Sequence, residues 1–71
     1  MISVNAIAPG PVNTTLFTDL NNAQAIAGFV QRTPHHRLGE PEDIANVVAA
    51  LCSSDGMWVN GQTILANGGL I

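Results

Sequence analysis

The sequence predicts an α/β fold built on parallel strands. Three observations carry that expectation: an alternating apolar–polar run opens the chain, an amphipathic segment follows Pro41, and a short apolar run precedes Asn67-Gly68-Gly69. Apolar residues at every second position fit a pleated strand, whereas recurrence every three or four fits one face of a helix. The resulting order, strand, loop, helix, helix, strand, is that of the last βαβ portion of a parallel sheet. Such a portion needs further strands, and layers covering both faces.

Over residues 2–8, apolar Ile2, Val4 and Ala6 alternate with Ser3 and Asn5, which predicts a strand. Pro9-Gly10-Pro11 ends it, because proline cannot donate to a ladder and glycine opens unusual backbone angles. Leu16, Leu20, Ala23, Ala27 and Val30 then recur at helical spacing, predicting a helix over residues 16–30 that Asn21-Asn22 and Gly28 weaken. Residues 33–40 read as a loop. Pro41 suits a first helical position, Glu42 and Asp43 complement the helix dipole, and Ile44, Val47, Val48 and Leu51 form a single stripe. A helix from Pro41 to about Cys52 follows, stopped by Ser53-Ser54-Asp55-Gly56. The tail admits two readings. Asn60-Gly61 between apolar runs signals a hairpin, while the alternative is an irregular loop at Trp58 followed by one strand over residues 62–66.

Composition narrows the function. The 71 residues are 46% hydrophobic and 10% charged, against ~25% charged in an ordinary soluble domain. That is the balance of an interior, and a chain this short buries only ~60% of its unfolded surface. There is no Tyr and no Lys, so a tyrosine acid, a lysine Schiff base and a phosphate-loop lysine are all excluded within this chain. A net charge of −3 with Arg32 and Arg37 as the only cationic residues argues against nucleic acid. The single Cys52 excludes an internal disulfide and fits a reducing compartment. No signal peptide is visible, and the most apolar segment, residues 44–52, is far short of the ~20 residues a membrane span needs. A cytoplasmic protein off the membrane is expected.

Several residues invite functional readings that simpler ones displace. Adjacent His35 and His36 cannot easily face one metal ion, and no Cys or carboxylate spacing supports them, so a solvated loop is expected and no metal site. Glu40, Glu42 and Asp43 are better explained by the helix dipole than as an acid pair. Cys52, within a turn of Val48 and Leu51, is expected to be a buried inert thiol. Asn13-Thr14-Thr15 matches a glycosylation sequon but lacks a secretory context. Trp58 is expected to pack on a core or an interface.

Three motifs then converge. Val4-Asn5-Ala6-Ile7-Ala8-Pro9-Gly10-Pro11-Val12-Asn13-Thr14 resembles the strand and Pro-Gly loop near the C-terminus of the short-chain dehydrogenase/reductase family. Arg37-Leu38-Gly39-Glu40-Pro41-Glu42-Asp43-Ile44-Ala45 resembles the segment that leads into that family's penultimate helical segment. Asn60-Gly61-Gln62 through Asn67-Gly68-Gly69 resembles its last strand and closing turn. Each is weak alone, but their order and spacing together cover nearly the whole chain.

The resemblance implies the C-terminal part of a Rossmann-like doubly wound sheet that binds NAD or NADP and moves a hydride to or from a carbonyl or alcohol carbon. Residues 1–71 would form one partial domain. The family's Tyr-x-x-x-Lys and Gly-rich pyrophosphate turn do not occur in this sequence, so no catalytic residue carries over. Matched by motif, Pro9 and Gly10 would shape the loop, with Gly10 giving the cofactor a side-chain-free approach. The Val12 backbone would meet the nicotinamide carboxamide, and Thr14 would offer its hydroxyl to the carboxamide or a phosphate oxygen. Residues 16–31 would correspond to the variable substrate-covering segment. The parent is expected to act on a small carbonyl or alcohol compound and to form homo-oligomers, with contacts through the last strand and the Trp58 region. Two readings stay open: a C-terminal fragment inactive alone, or a non-catalytic module that assembles with a full-length relative.

Overall fold

The computed structural model describes residues 2–70. The elements are β1 (Ala6–Pro9), α1 (Thr15–Leu20), α2 (Ala23–Arg32), α3 (Pro41–Cys52), a 3-10 turn (Ser54–Gly56) and β2 (Thr63–Ala66). β1 and β2 pair in parallel, with Ala6 opposite Thr63, Ile7 opposite Ile64, Ala8 opposite Leu65 and Pro9 opposite Ala66. The expected parallel α/β arrangement is therefore present as a two-stranded sheet.

β1 is shorter and later than the alternation over residues 2–8 predicts. Opposite residues 4 and 5 lies the 59–62 loop instead of a strand, and it is held by an asparagine amide. Asn5 Nδ2 donates to the Val59 carbonyl at 3.1 Å while its Oδ1 accepts from the Gln62 N–H at 3.0 Å. Gly61 N–H donates to the Val4 carbonyl at 2.8 Å, and the Val4 N–H donates to Asn60 Oδ1 at 2.9 Å. These long-range bonds claim the Asn60-Gly61 turn, so the hairpin reading fails and the loop-plus-strand reading holds. Pro9 joins the strand because the N–H groups facing β2 belong to Ala6 and Gly10, which donate to the Gln62 and Ala66 carbonyls. The alternation of a parallel ladder turns the Pro9 nitrogen outward, where a missing donor costs nothing.

The helix expected over residues 16–30 is two helices. Asn21 Nδ2 donates to the Phe17 carbonyl at 2.9 Å and closes α1, while Asn22 Oδ1 accepts from the Ala25 N–H at 2.8 Å and opens α2. Short asparagine side chains compete with the backbone ladder in this way, which makes the pair a joint. Phe17 and Phe29 meet across it with ring centroids 5.7 Å apart, and the Arg32 guanidinium lies 5.1 Å over the Phe29 ring.

α3 runs as its local signals predict, with Pro41 in its first turn and Glu42 and Asp43 beside it. Of the predicted stripe, Ile44, Val47 and Leu51 are half-buried, whereas Val48 is 43% exposed. Cys52, expected to be buried, is exposed. It lies four residues beyond Val48, so both project from one side of the helix, onto an open cleft and not a packed layer. Trp58 is 97% exposed and packs on no core here.

Among the described residues no apolar side chain is buried; only Thr33 and Gly56 are. The radius of gyration is 13.9 Å, against roughly 11 Å for a compact chain of this length. Ile2, Val4, Leu16, Leu20, Met57 and Leu65 all present most of their surface to solvent. The architecture therefore offers apolar faces without the layers that would bury them. None of the described helices is long and apolar enough to cross a membrane.

Candidate functional site

The segment after β1 leaves the sheet at the carboxyl ends of both strands, the edge at which parallel α/β sheets take their ligands. Gly10 is the first residue out, and its N–H donates to the Ala66 carbonyl at 3.0 Å. A Cβ at Gly10 would lie 2.7 Å from Asn67 Cβ and 2.9 Å from Asn67 Cα. Gly10 therefore lets the two chain segments touch. The missing side chain is what admits Asn67 at this distance. Asn67 in turn shapes the closing turn: its Oδ1 accepts from the Gly69 N–H at 3.0 Å and its Nδ2 donates to the Leu70 carbonyl at 2.7 Å. Gly68 and Gly69 sit at φ 64° and 92° within it, angles that side-chain-bearing residues rarely adopt.

Pro11, Val12 and Asn13 are fixed from the other side by Gly39. The Gly39 N–H donates to the Pro11 carbonyl at 2.9 Å, and the Asn13 N–H donates to the Gly39 carbonyl at 2.7 Å. In such a parallel bridge the central residue turns its own N–H and carbonyl the opposite way. The Val12 carbonyl accepts from the Thr14 N–H at 2.8 Å, but the Val12 N–H meets no acceptor among the described residues. Thr14 Oγ1 accepts from the Phe17 N–H at 3.3 Å as the cap of α1, which leaves its hydroxyl hydrogen uncommitted. Pro9 ends β1, Gly10, Val12 and Thr14 follow along the loop that leaves it, and Val12 and Thr14 each keep a donor to spare.

The residues on either side of Gly39 are tied by charged groups. Arg37 grips Asp43 through two bonds, Nη1 to Oδ2 at 2.8 Å and Nη2 to Oδ1 at 3.2 Å, and its Nη1 also donates to the Leu38 carbonyl at 3.0 Å. Asp43 Oδ2 accepts from the Glu40 N–H at 2.6 Å. The guanidinium hydrogen bonds first, and the Glu40 N–H second, hold the Asp43 carboxyl down to about 2. The same pairing raises the Arg37 pKa. Asn13 Nδ2 reaches Glu40 Oε1 at 3.4 Å.

Between this corner and the end of β2 lies a cleft of about 390 Å³, lined in part by Pro11, Gly39, Asp43, Ile44, Leu65 and Asn67. A second cleft of about 460 Å³ lies between β1 and the C-terminal half of α3, against Ile7, Val48, Cys52 and Met57. His35 and His36 are exposed, as a solvated loop requires. His35 Nδ1 lies 2.8 Å from the Gly68 carbonyl, which accepts its hydrogen.

A family model described as Enoyl-(Acyl carrier protein) reductase matches residues 1–71, the whole chain. The chain belongs to the short-chain dehydrogenase/reductase family. It is 43% identical over 70 residues to a short-chain type dehydrogenase/reductase of Picea abies, covering 99% of this chain and 26% of that protein. It is 45% identical over 71 residues to the chloroplastic NADPH-dependent aldehyde reductase 2 of Arabidopsis thaliana, again 99% of this chain and 26% of the relative. A solved 7α-hydroxysteroid dehydrogenase, complexed with NADH and 7-oxo glycochenodeoxycholic acid, superposes with a TM-score of 0.91 at 39% identity. That match covers 97% of this chain and 27% of that one. The chain spans about a quarter of the length of the curated relatives it matches.

As a short-chain dehydrogenase/reductase segment, the strand, loop, helix and strand take up a portion of a Rossmann-fold domain. The sequence pointed to the loop residues of this family but not to the groups that fix them. Gly39 and Asn67 act through tertiary contacts that no local pattern reveals. The Arg37–Asp43 pair had a faint signal, an arginine six places ahead of an acid in a helical first turn.

Proposed function

We propose that this chain contributes to an NAD(P)-dependent oxidoreductase acting on a small carbonyl or alcohol compound, and that residues 9–14 receive the nicotinamide end of the cofactor. One observation carries the reading: a backbone N–H at Val12 with no acceptor among the described residues, at the carboxyl edge of a parallel sheet, on a loop braced at Gly10 and Gly39. A carboxamide oxygen is the acceptor such a donor suits, and the Thr14 hydroxyl adds a second donor two residues on. Pro9 fixes the angle at which the loop departs. When bound, the nicotinamide supplies or takes up the hydride. The residues of this chain bind and orient it.

With neither Tyr nor Lys in the sequence, proton transfer to the substrate falls to groups outside these residues, and the 71-residue chain alone turns over no substrate. Residues 1–71 act as one partial domain that completes its layers with further strands and helices, in the cytoplasm, within a homo-oligomer. The test is a two-dimensional amide spectrum of the chain with NADH and then NADPH. Shifts confined to Gly10, Val12 and Thr14 support the site; a spectrum unmoved by either cofactor refutes it, and reproducible turnover refutes the assignment of proton transfer elsewhere.

The exposed Trp58 and Leu65 favour a second reading, a non-catalytic module that docks on a full-length relative and alters its assembly. Size-exclusion of a mixture decides it, since failure to co-elute removes the idea.

A further inference from the structure

We infer that Arg37 and Asp43 are positioning residues for the nicotinamide-facing loop: by pinning Gly39 at the head of α3 they set the direction of the Val12 N–H. The inference rests on the reading of residues 9–14 given above. Three links compose it. Asp43 belongs to the first turn of α3 and bonds the Glu40 N–H, so one flank of Gly39 is tied to a regular helix. The Arg37 guanidinium spans from both Asp43 oxygens to the Leu38 carbonyl, so the other flank is tied to the same carboxylate. Gly39 between them spends its N–H on Pro11 and its carbonyl on Asn13, the two neighbours of Val12.

Neither Arg37 nor Asp43 hydrogen-bonds to any residue from 9 to 14, so each acts through Gly39. The planar fork of arginine suits the task, because it makes parallel bonds to a carboxylate and still reaches a carbonyl beside it. A lysine would keep the charge and lose the fork. A pair that merely stabilised α3 would loosen the helix when broken and leave the Asn13 and Gly39 bonds no worse than any other.

The test uses ¹⁵N-labelled 71-residue chain as wild type, Arg37→Ala and Arg37→Lys, with amide exchange and an NADH titration read on each. In Arg37→Ala, exchange at Asn13 and Gly39 quickens by about fivefold, the scale of a half-exposed ion pair, and the NADH dissociation constant rises by a similar factor. Arg37→Lys falls between the two. Gly61, bonded to Val4 at the far end of the sheet, changes by less than about twofold. Equal loss at Asn13 and Gly61, no change at Asn13 and Gly39, or a wild-type chain in which those two amides are unprotected each overturns the inference. If NADH moves no amide of residues 9–14 while Asn13 protection still depends on Arg37, the clamp stands and the cofactor reading falls.

Discussion

Replacing Gly10 by alanine tests the contact that seats the loop on the end of the sheet. The added Cβ would lie 2.7 Å from Asn67 Cβ and 2.9 Å from Asn67 Cα, where ordinary contact begins at 3.4 Å. The segments must part by about 0.7 Å, and one of the atoms in the way is backbone, which cannot swing aside. Gly10 is not among the positive-φ glycines, so the cost is steric and does not come from backbone strain. Overpacking of this kind costs about 1–3 kcal/mol, and alanine returns about 0.4–1 kcal/mol by restricting the unfolded chain. The net loss is about 1–2 kcal/mol, or roughly 4–16 °C in Tm for a chain of this size. Thermal unfolding followed by circular dichroism reads it, in trimethylamine N-oxide to favour the compact state of both proteins. An unchanged or raised Tm would refute the claim that Gly10 exists to admit Asn67.

Three further outcomes follow from other contacts. Gly28 sits inside α2 with nothing within 4 Å of an added Cβ, so Gly28→Ala should stabilise that helix by about 0.5–1 kcal/mol and deepen the helical ellipticity. Asn5→Ala removes both bonds to the 59–62 loop at a cost of about 1–2 kcal/mol, and the Gln62 amide should exchange faster than the Thr18 amide in α1. The Asp43 carboxyl ionises lower in the folded chain, at about 2, than its ordinary value of 3.8. Its stabilising effect is therefore present above about pH 4 and lost as pH falls toward 2, with Arg37 charged throughout. Acid unfolding of Asp43→Asn should lack that limb, and an identical acid profile would count against the ion pair.

α3 was legible from sequence because everything that defines it is local: Pro41, the acids beside it and the spacing of Ile44, Val47 and Leu51. β1 was displaced because its start depends on where its partner begins, and the 59–62 loop is reached only through long-range bonds. Asn21-Asn22 was visible as a weak point, but its division into a closing cap and an opening cap emerges only from geometry. Cys52 was misjudged because a stripe on a helix says which residues share a side, while burial needs something packed against them, and only an open cleft lies there. At the site, the Pro-Gly loop could be located by motif. The task of Gly10 and the hold of Gly39 could not, since both are defined by residues distant in sequence.

The segment from Thr15 to Arg32 behaves as a removable cassette. It leaves the scaffold at Thr14, whose backbone is tied to Val12, and returns at Thr33, whose hydroxyl closes α2 on the Phe29 carbonyl at 2.6 Å. Thr33 and Pro11 line the same cleft, so departure and return share one rim, while α1 and α2 pack extensively on none of β1, β2 or α3. Neither the pairing of β1 with β2 nor the bonds of Gly39 to Pro11 and Asn13 draws on a residue between those two threonines. A library that varies only this insert should therefore keep the strand pairing and the bonds of Gly39.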